Sequence, residues 1–491
     1  MRTRAVGDPP AARKLRRELR LLETAAVSIG VMAPTLAMSV TGVAAAKQLG
    51  RAAPLAFVFA GLAVGLVAFG FVRLAAQYSH AGSVYAFVGQ TLSPRWGFVA
   101  GWALLGTYLV FPPVSIMGVT VFARAFLRST GLADDADWYP IALAAWALIW
   151  FLAARGIRPT TRSLLVFEIV SVALIVVLMV TILVRLASGV HPVSGTGGLS
   201  GKVFLLPPGI GVGTLALAAT AGFLAFAGFE SAGSLGEEAL APRREIPRAI
   251  WTAVLFGGLF YVTCMVTQSL GFGLDSAGVN TFSRSQAPLG DLANHFVGSA
   301  LAKLLDAGAT LSAVGAGLGG VTVAARMLFA FGRDGLAVPA FARVSSRHRV
   351  PSSALAFEML VGLTLLTCFR LAGTAPLDVF FYLATLGVLS LLVMYILTNV
   401  AAVRQLGRRS TKEATLAFLG CAIATYVLYS NVWPVPPAPY RYFPYGVLGW
   451  LLVGLLVTFV RPGFVATAAR GLERTASEQA EVPRPRHRPT S

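Results

Sequence analysis

The sequence predicts an all-α polytopic membrane protein with about twelve transmembrane helices. Of its 491 residues, 56% are hydrophobic and only 12% are charged, and the mean hydropathy is +0.73. A soluble domain does not bury that much apolar surface behind so few charges. An α-helix rises ~1.5 Å per residue and the hydrocarbon core of a bilayer is ~30 Å thick, so ~20 apolar residues make one crossing. Runs of that length recur from one end of the chain to the other.

Twelve such runs can be counted, and the third and eighth are long enough to require a tilt or an extension beyond the bilayer. The polar segment 1–23 precedes a first apolar run that is too long for a signal-peptide core, so this run is predicted to be a retained span. Residues 462–491 are polar and rich in Pro and Arg, and are predicted to form a disordered tail. The predicted spans are 24–47, 53–76, 97–127, 139–155, 163–187, 213–236, 249–274, 300–331, 353–371, 376–401, 414–433 and 445–461.

The basic residues predict the orientation of these spans. The net charge is +19, and Lys and Arg concentrate in alternate connecting loops. Because cytoplasmic loops carry the excess of Lys and Arg, both termini are predicted to be cytoplasmic, in a plasma membrane of the bacterial inner-membrane type. The basic residues on the predicted cytoplasmic side include Arg13, Lys14, Arg16, Arg17, Arg20, Arg155, Arg158, Arg162, Arg243, Arg244, Arg248, Arg343, Arg347, Arg349, Arg404, Arg408, Arg409 and Lys412.

Composition also excludes several classes of function. The basic residues form no continuous stripe, so nucleic acid is not an expected partner. Cys264, Cys368 and Cys421 lie singly in apolar runs, and the five histidines are scattered. The sequence shows no metal site and no nucleophile–base pair, so we expect neither an enzyme nor a bound cofactor or metal. A sensor would carry a sizeable soluble output domain and a channel would carry repeated filter loops, and neither is seen.

The first predicted span carries a helix interruption at its middle. Gly30 and Pro34 stand four residues apart within an apolar run. Both residues weaken a helix, and lipid offers no replacement partners for the freed backbone groups, so these groups must face protein or a wet cavity. A polar ligand can bind at such a place, and a simple proline kink is the structural alternative.

The sixth predicted span is interrupted as well. Three glycines and Glu230 stand within the apolar run 221–233. If the helix breaks over 225–228, Glu230 or Ser231 is placed to cap the second half-helix, because a carboxylate or hydroxyl satisfies exposed amides and suits the positive end of the helix dipole. We prefer this capping role for Glu230 to direct contact with a substrate.

The two interruptions hold corresponding positions in two halves of the chain, because Gly30 and Gly228 are separated by 198 residues. Helices 1–5 (24–187) and helices 6–10 (213–401) are therefore predicted to be two five-helix repeats of inverted topology, followed by helices 11 and 12 (414–461). The binding site is predicted at the midplane, where half-helix amino ends offer N–H groups to a carboxylate and carboxyl ends offer C=O groups to an ammonium. An α-amino acid carries both charges a short distance apart.

Three motifs carry a family resemblance. They are Phe226-Ala227-Gly228-Phe229-Glu230 with Gly236-Glu237-Glu238-Ala239 and 242–250, then 325–335 with 347–351, and the loop 81–85 with 94–98. The motifs and their order are similar to those of amino acid permeases of the amino acid–polyamine–organocation superfamily, over about residues 20–465. The resemblance implies a leucine-transporter-like fold, with broken helices 1 and 6, and secondary active transport of amino acids or related amines.

The resemblance also implies that the two helix breaks form the substrate-binding region. Many family members carry a glycine-rich run in the first span, where this chain has Gly30 to Pro34, so the carboxylate cradle differs and the substrate is left open. The residues assigned to binding are Gly30, Val31, Met32, Ala33, Pro34, Thr35, Phe223, Ala225, Phe226, Ala227 and Gly228.

Glu168 is the strongest candidate for a residue that couples transport to an ion. It follows Arg162 by six residues, ~9 Å along the fifth span, which is too deep for a short acidic side chain to reach the interface easily. Carboxylates retained within spans often carry protons. In related proton-coupled transporters the fifth span places an ionisable residue, a lysine in some members, beside the broken first span. Proton coupling, a structural hydrogen bond to the first span and an interfacial position are the three interpretations of Glu168.

Two substrate classes stay open. An amino acid is preferred to a polyamine, because a dication calls for extra acidic side chains near the broken helices and only Glu168 and Glu230 qualify. Proton-coupled symport or exchange is expected ahead of sodium coupling, for which Ser312 offers a single hydroxyl. The expected partners are thus a small-molecule amino acid or amine, protons and the lipid bilayer. A membrane-embedded sensor or enzyme is the alternative from another class.

Overall fold

A computed structural model describes residues 20–78, 83–132, 137–156, 158–235, 239–345, 347–348, 350–461 and 463–480. These residues form seventeen α-helices joined by short loops and five 3-10 turns. The helices are α1 Leu21–Met32, α2 Pro34–Leu49, α3 Ala53–Ala75, α4 Val84–Thr91, α5 Pro94–Thr130, α6 Trp138–Arg155, α7 Arg158–Ala187, α8 Val212–Phe226, α9 Pro242–Phe272, α10 Ser276–Arg284, α11 Pro288–Phe296, α12 Ser299–Arg333, α13 Ser352–Leu371, α14 Pro376–Leu406, α15 Thr411–Ser430, α16 Phe443–Val460 and α17 Phe464–Ala480.

Within the described ranges, ten helical segments are long and apolar enough to cross a membrane. An eleventh is the pair of Val212–Phe226 and the 3-10 helix Phe229–Leu235, which meet at a 41° bend. The segment Leu21–Ala75 has 55 residues, about 83 Å of straight helix, which is more than twice the ~30 Å hydrocarbon core. It is interrupted at Gly50, whose φ of 57° and ψ of −127° are not helical. Counting this segment as two crossings gives twelve, and the prediction of an all-helical, many-span protein is confirmed.

Helices α5 and α12 are the longest, with 37 and 35 residues, and they pack against each other. They contain the third and eighth predicted spans, which the sequence marked as long. Small residues on α12 also allow close packing against α6 and α7. A Cβ built on Gly308 would lie 2.5 Å from the Ser171 hydroxyl of α7, and one built on Gly317 would lie 2.7 Å from Ile149 of α6. Helix α12 therefore touches several neighbouring spans at van der Waals distance.

The predicted disordered tail is wrong for Phe464–Ala480, which forms α17. Phe464, Ala468 and Leu472 recur every four residues and are buried, so this helix presents an apolar stripe to the bundle. The Tyr85 hydroxyl of α4 donates a hydrogen bond of 3.3 Å to the carbonyl of Ala468. The prediction of disorder rested on the overall polar composition of the tail, which does not reveal an apolar stripe of three residues. Several predicted segments lie outside the described residues, namely 1–19, Ala81 and Gly82, Gly236 to Glu238, Arg349 and 481–491.

Candidate binding site at two broken helices

The first break lies at Ala33, between α1 and α2. Ala33 has φ 46° and ψ 66°, and its amide donates a 3.1 Å bond to the Ile29 carbonyl, which ends α1. Pro34 then begins α2 at the first helical position, where the N–H would have no partner within the helix. Gly30 stays inside α1, so the break falls three residues after the glycine. A left-handed conformation at a non-glycine residue costs about 1–3 kcal/mol, which the surrounding structure must supply.

The amino end of α2 is capped by side chains from two distant helices. The Thr35 amide donates to the Oε1 atom of Glu168 on α7 at 2.9 Å, and the Leu36 amide donates to the Oγ atom of Ser312 on α12 at 3.2 Å. Ala33, at the N-cap position, offers no side-chain acceptor. Glu168 is buried and therefore lies at the break rather than at an interface. These two acceptors replace the local cap that the sequence of the first span lacks.

This arrangement leaves three carbonyls at the end of α1 without their helical donors. In a continuous helix, the carbonyls of Gly30, Val31 and Met32 would accept from the amides four residues later. Pro34 has no amide hydrogen, and the amides of Thr35 and Leu36 are committed to Glu168 and Ser312. The carboxyl end of α1 therefore presents carbonyl oxygens, with the negative end of a helix dipole behind them.

The second break lies against the first. Helix α8 ends at Phe226, and Gly228 follows with φ +116°, a conformation that only glycine adopts readily. A Cβ built on Gly228 would lie 2.7 Å from Val31 and 2.9 Å from the Met32 amide nitrogen. The backbone of the sixth span thus touches the backbone of the first span where both are interrupted.

Glu230 lies just beyond this break and accepts hydrogen bonds from three donors. The Tyr108 hydroxyl of α5 donates to Oε1 at 2.8 Å, and the Tyr395 hydroxyl of α14 and the Gly228 amide donate to Oε2 at 3.1 and 3.2 Å. The carboxylate is fully buried. By contrast, the hydroxyl of Ser231 has no hydrogen-bond partner among the described residues. Of the two cap candidates, only Glu230 therefore contacts an amide at the break.

Ser28 joins the two broken spans directly. Its hydroxyl donates to the Phe229 carbonyl at 3.0 Å and accepts from the Ala232 amide at 3.2 Å. The 3-10 helix after the second break is therefore held by a side chain from α1. The sequence offered only one signal for this role, a serine two residues before Gly30 in an otherwise apolar run.

Aromatic and small apolar residues surround the two breaks. Phe226 and Tyr261 of α9 meet edge to face with ring centroids 5.1 Å apart, and Met32 packs beside both at Gly257. The Tyr261 hydroxyl and the Thr35 hydroxyl are buried and have no hydrogen-bond partner among the described side and main chains. Buried polar atoms are nearly always paired, so these two are available to a polar ligand or to water.

The structure brings most of the predicted site residues together. Gly30 to Thr35 and Phe226 to Gly228 meet at the two breaks, and Glu168 contacts the first of them. Phe223 and Ala225 are buried in α8, one turn before the second break. The described residues contain no group of three or more His, Cys, Asp or Glu side chains that could hold a metal ion.

A match to a protein-family sequence model over most of the chain shows the family to which the chain belongs. The sequence model described as "Amino acid permease" matches residues 25–435, which include both breaks, Glu168, Ser312 and Tyr395. The chain belongs to the amino acid permease family. The permease is therefore a membrane transporter, and the resemblance in its loop motifs is confirmed.

Three relatives show the range of proteins to which the permease is similar. The low-affinity putrescine importer PlaP of Escherichia coli (strain K12) is 25% identical over 82% of this chain and 84% of its own length. The branched-chain amino acid permease BcaP of Bacillus subtilis (strain 168) is 25% identical over 91% and 93%. The methylthioribose transporter of the same strain is 24% identical over 69% and 72%. Family membership alone thus leaves the substrate to be argued from the site.

Proposed function

We propose that the permease is a secondary active transporter of an amino acid, which binds between the two helix breaks and crosses the membrane by alternating access. The observation that carries this proposal is the set of three carbonyls of Gly30, Val31 and Met32, whose helical donors are absent or committed elsewhere. Carbonyl oxygens at the negative end of a helix dipole attract a protonated amino group. The substrate's ammonium is thus bound by backbone, in a site with few charged side chains.

We infer that Glu168 couples this binding to a proton. While ionised, Glu168 accepts the Thr35 amide, which is one of the donors that a substrate carboxylate would use. Protonation makes the carboxyl group a weaker acceptor and frees that amide for the substrate. Tyr261 lies beside Glu168, and its unpaired hydroxyl offers a further donor to a carboxylate. A proton and an amino acid therefore bind together, which is the condition for symport.

A diamine is the second candidate substrate, and one observation favours it. The amides of Thr35, Leu36 and Gly228 all donate to protein side chains, so the site with both glutamates ionised offers mainly acceptors. Acceptors alone suit a cation without a carboxylate. PlaP, which is named as a putrescine importer, supports the same candidate.

The five-plus-five inverted repeat and the cytoplasmic placement of both termini form part of this proposal. The breaks in α1–α2 and α8 stand at the first helix of each predicted repeat, and contact between them is the arrangement that such a repeat produces. The excess of Arg in alternate loops supports termini inside a plasma membrane. A membrane transporter of this kind carries out no covalent chemistry, so no enzymatic activity is proposed.

Counterflow in proteoliposomes tests the substrate class. Vesicles preloaded with a mixture of amino acids and polyamines are offered radiolabelled compounds in pairs that differ only in the carboxylate, leucine against isoamylamine and ornithine against putrescine. Accumulation of the amino acid of a pair, increased by an inward proton gradient, is the expected result. Accumulation of putrescine alone would establish the diamine instead, and no counterflow of any compound would overturn the proposal. The Gly258→Ala variant, in which the added methyl group meets no atom within 4 Å, serves as a control for insertion into the membrane.

A further inference from the structure

A cavity lies away from the helix breaks, at the end of α5. It has a volume of about 600 Å³ and is bounded by the last turns of α5, by α11, by the start of α12 and by the start of α14. No residue of either break lines it. In the proposed orientation this end of the bundle faces the outside. The size falls within the range of ~300–1,000 Å³ that is usual for small-molecule sites.

The cavity lies on the outer side of the two helix breaks, along α5 and α12. Gly118 of α5 is packed against Ala313 of α12 and against Leu36, at the amino end of α2. Arg124 is six residues further along α5, and Asp306 is seven residues before Ala313 on α12. At ~1.5 Å per residue, both charged residues lie about 10 Å beyond the first break. A substrate entering from that end would pass them before it reached the broken helices.

The lining of this cavity carries both signs of charge. On α5, Arg124 and Arg128 are four residues apart and therefore share one helix face. The Nε atom of Arg124 is buried without a hydrogen-bond partner among the described residues. On the α12 side of the cavity, Asp306 is 6% exposed, and its carboxylate makes no ion pair or hydrogen bond with another described residue. Asp291 lies close to Asp306 and is held by a 2.6 Å bond from the Ser285 hydroxyl.

We propose that this cavity is an outer binding site for the transported amino acid, which it holds before passing it to the helix breaks. The guanidinium of Arg124 would bind the substrate carboxylate, and the carboxylates of Asp306 and Asp291 would bind its ammonium. A cation alone would leave Arg124 without a partner, and an anion alone would leave Asp306 without one. Arg124 and Asp306, which carry opposite charges and line the same cavity, fit a zwitterion. This inference rests on the proposed function for its substrate.

Equilibrium binding of the radiolabelled amino acid identified by counterflow tests the outer site. The purified wild-type chain in nanodiscs is expected to bind two molecules per chain and Arg124→Gln one. Loss of one charge-assisted hydrogen bond is expected to raise KM about tenfold. Arg124→Lys, which keeps the charge, should retain part of the second site, and Arg284→Gln, on an exposed residue of α10 outside the cavity, should bind two molecules.

The outcomes separate this inference from the proposed function. Normal counterflow with one molecule bound per wild-type chain would overturn the outer site and leave the proposed function intact. An unchanged KM in Arg124→Gln would overturn it as well. Binding of putrescine at the second site, abolished by Asp306→Asn but unaffected by Arg124→Gln, would show a cation site in its place. Absence of amino acid counterflow in the wild type would overturn both proposals.

Discussion

The Glu168 carboxylate on α7 accepts a hydrogen bond from the Thr35 amide at the start of α2, across 2.9 Å. The two residues are 133 positions apart, so this bond joins the predicted fifth span to the broken first span. The amino end of α2 is thereby completed by a group that can take up a proton. A change in the protonation of Glu168 acts directly on the helix break.

Glu168→Gln is expected to abolish accumulation driven by a pH gradient and to leave substrate exchange largely intact. The glutamine carbonyl can still accept the Thr35 amide, but the side chain cannot carry a proton. Uptake into proteoliposomes, with and without an imposed inward proton gradient, measures the first effect, and counterflow measures the second.

Glu358→Gln is the matched control for this variant, because Glu358 is also a buried carboxylate within a span, on α13. It should keep the response to the gradient. Gradient-driven accumulation by Glu168→Gln, in correctly inserted protein, would show that the coupling assignment is wrong.

Gly228→Ala is expected to abolish counterflow and to lower the thermal unfolding midpoint. The added methyl would lie 2.7 Å from Val31, at a φ of +116° that alanine adopts only with strain. The two effects together are expected to cost about 2–5 kcal/mol. Gly258→Ala on α9 is the control, since a Cβ there meets no atom within 4 Å. Equal midpoints and equal transport in the two variants would contradict the close contact between the breaks.

Tyr395→Phe is expected to destabilise the permease by about 1.5–3 kcal/mol, because it removes one donor from a buried carboxylate. Glu230 would keep its bonds from Tyr108 and Gly228, so the fold should persist with slower counterflow. Tyr382→Phe, on the same helix, removes a hydroxyl that makes no hydrogen bond to a described residue, and it should have little effect. Thermal unfolding in detergent compares them, and a Tyr395→Phe midpoint equal to that of Tyr382→Phe would refute the role given to Glu230.

Glu358→Met is expected to raise the unfolding midpoint and to leave counterflow unchanged. Both carboxylate oxygens of Glu358 are buried without a hydrogen-bond partner among the described residues. An unpaired carboxylate in such a place costs free energy, which an apolar side chain of similar volume avoids. Glu413→Met removes a half-buried carboxylate paired with Arg73 and should bring no gain. A lower midpoint, or lost transport, for Glu358→Met would show that the Glu358 carboxylate contributes to stability or to transport.

Leu472→Asp is expected to detach α17 and to increase cleavage near residue 472 in limited proteolysis. Leu472 is buried, and its side chain packs against Gly89 of α4. A carboxylate there would be buried without a partner. Glu473→Ala, at the exposed neighbouring position, is the control. Equal cleavage of the two variants would show that the apolar stripe of α17 does not hold it to the bundle.

The amino-acid sequence by itself determined the fold class, an all-helical protein with many membrane spans. Hydrocarbon thickness sets the length of an apolar run, and that length can be counted from residue types alone. Glycine and proline within a span weaken a helix locally, so the neighbourhoods of both breaks could also be predicted. The order of the loop motifs was enough to identify the family.

Only the tertiary structure decided which groups complete the broken helices. The acceptors for Thr35 and Leu36 come from residues 133 and 276 positions away, and Ser28 reaches a carbonyl 201 positions away. The first break falls at Ala33 rather than at Gly30 because these distant partners satisfy the amides that follow Ala33. Local sequence shows where a helix is weak. The hydrogen bonds that stabilise the break depend on how distant spans pack together, and the same bonds leave three carbonyls without their helical donors.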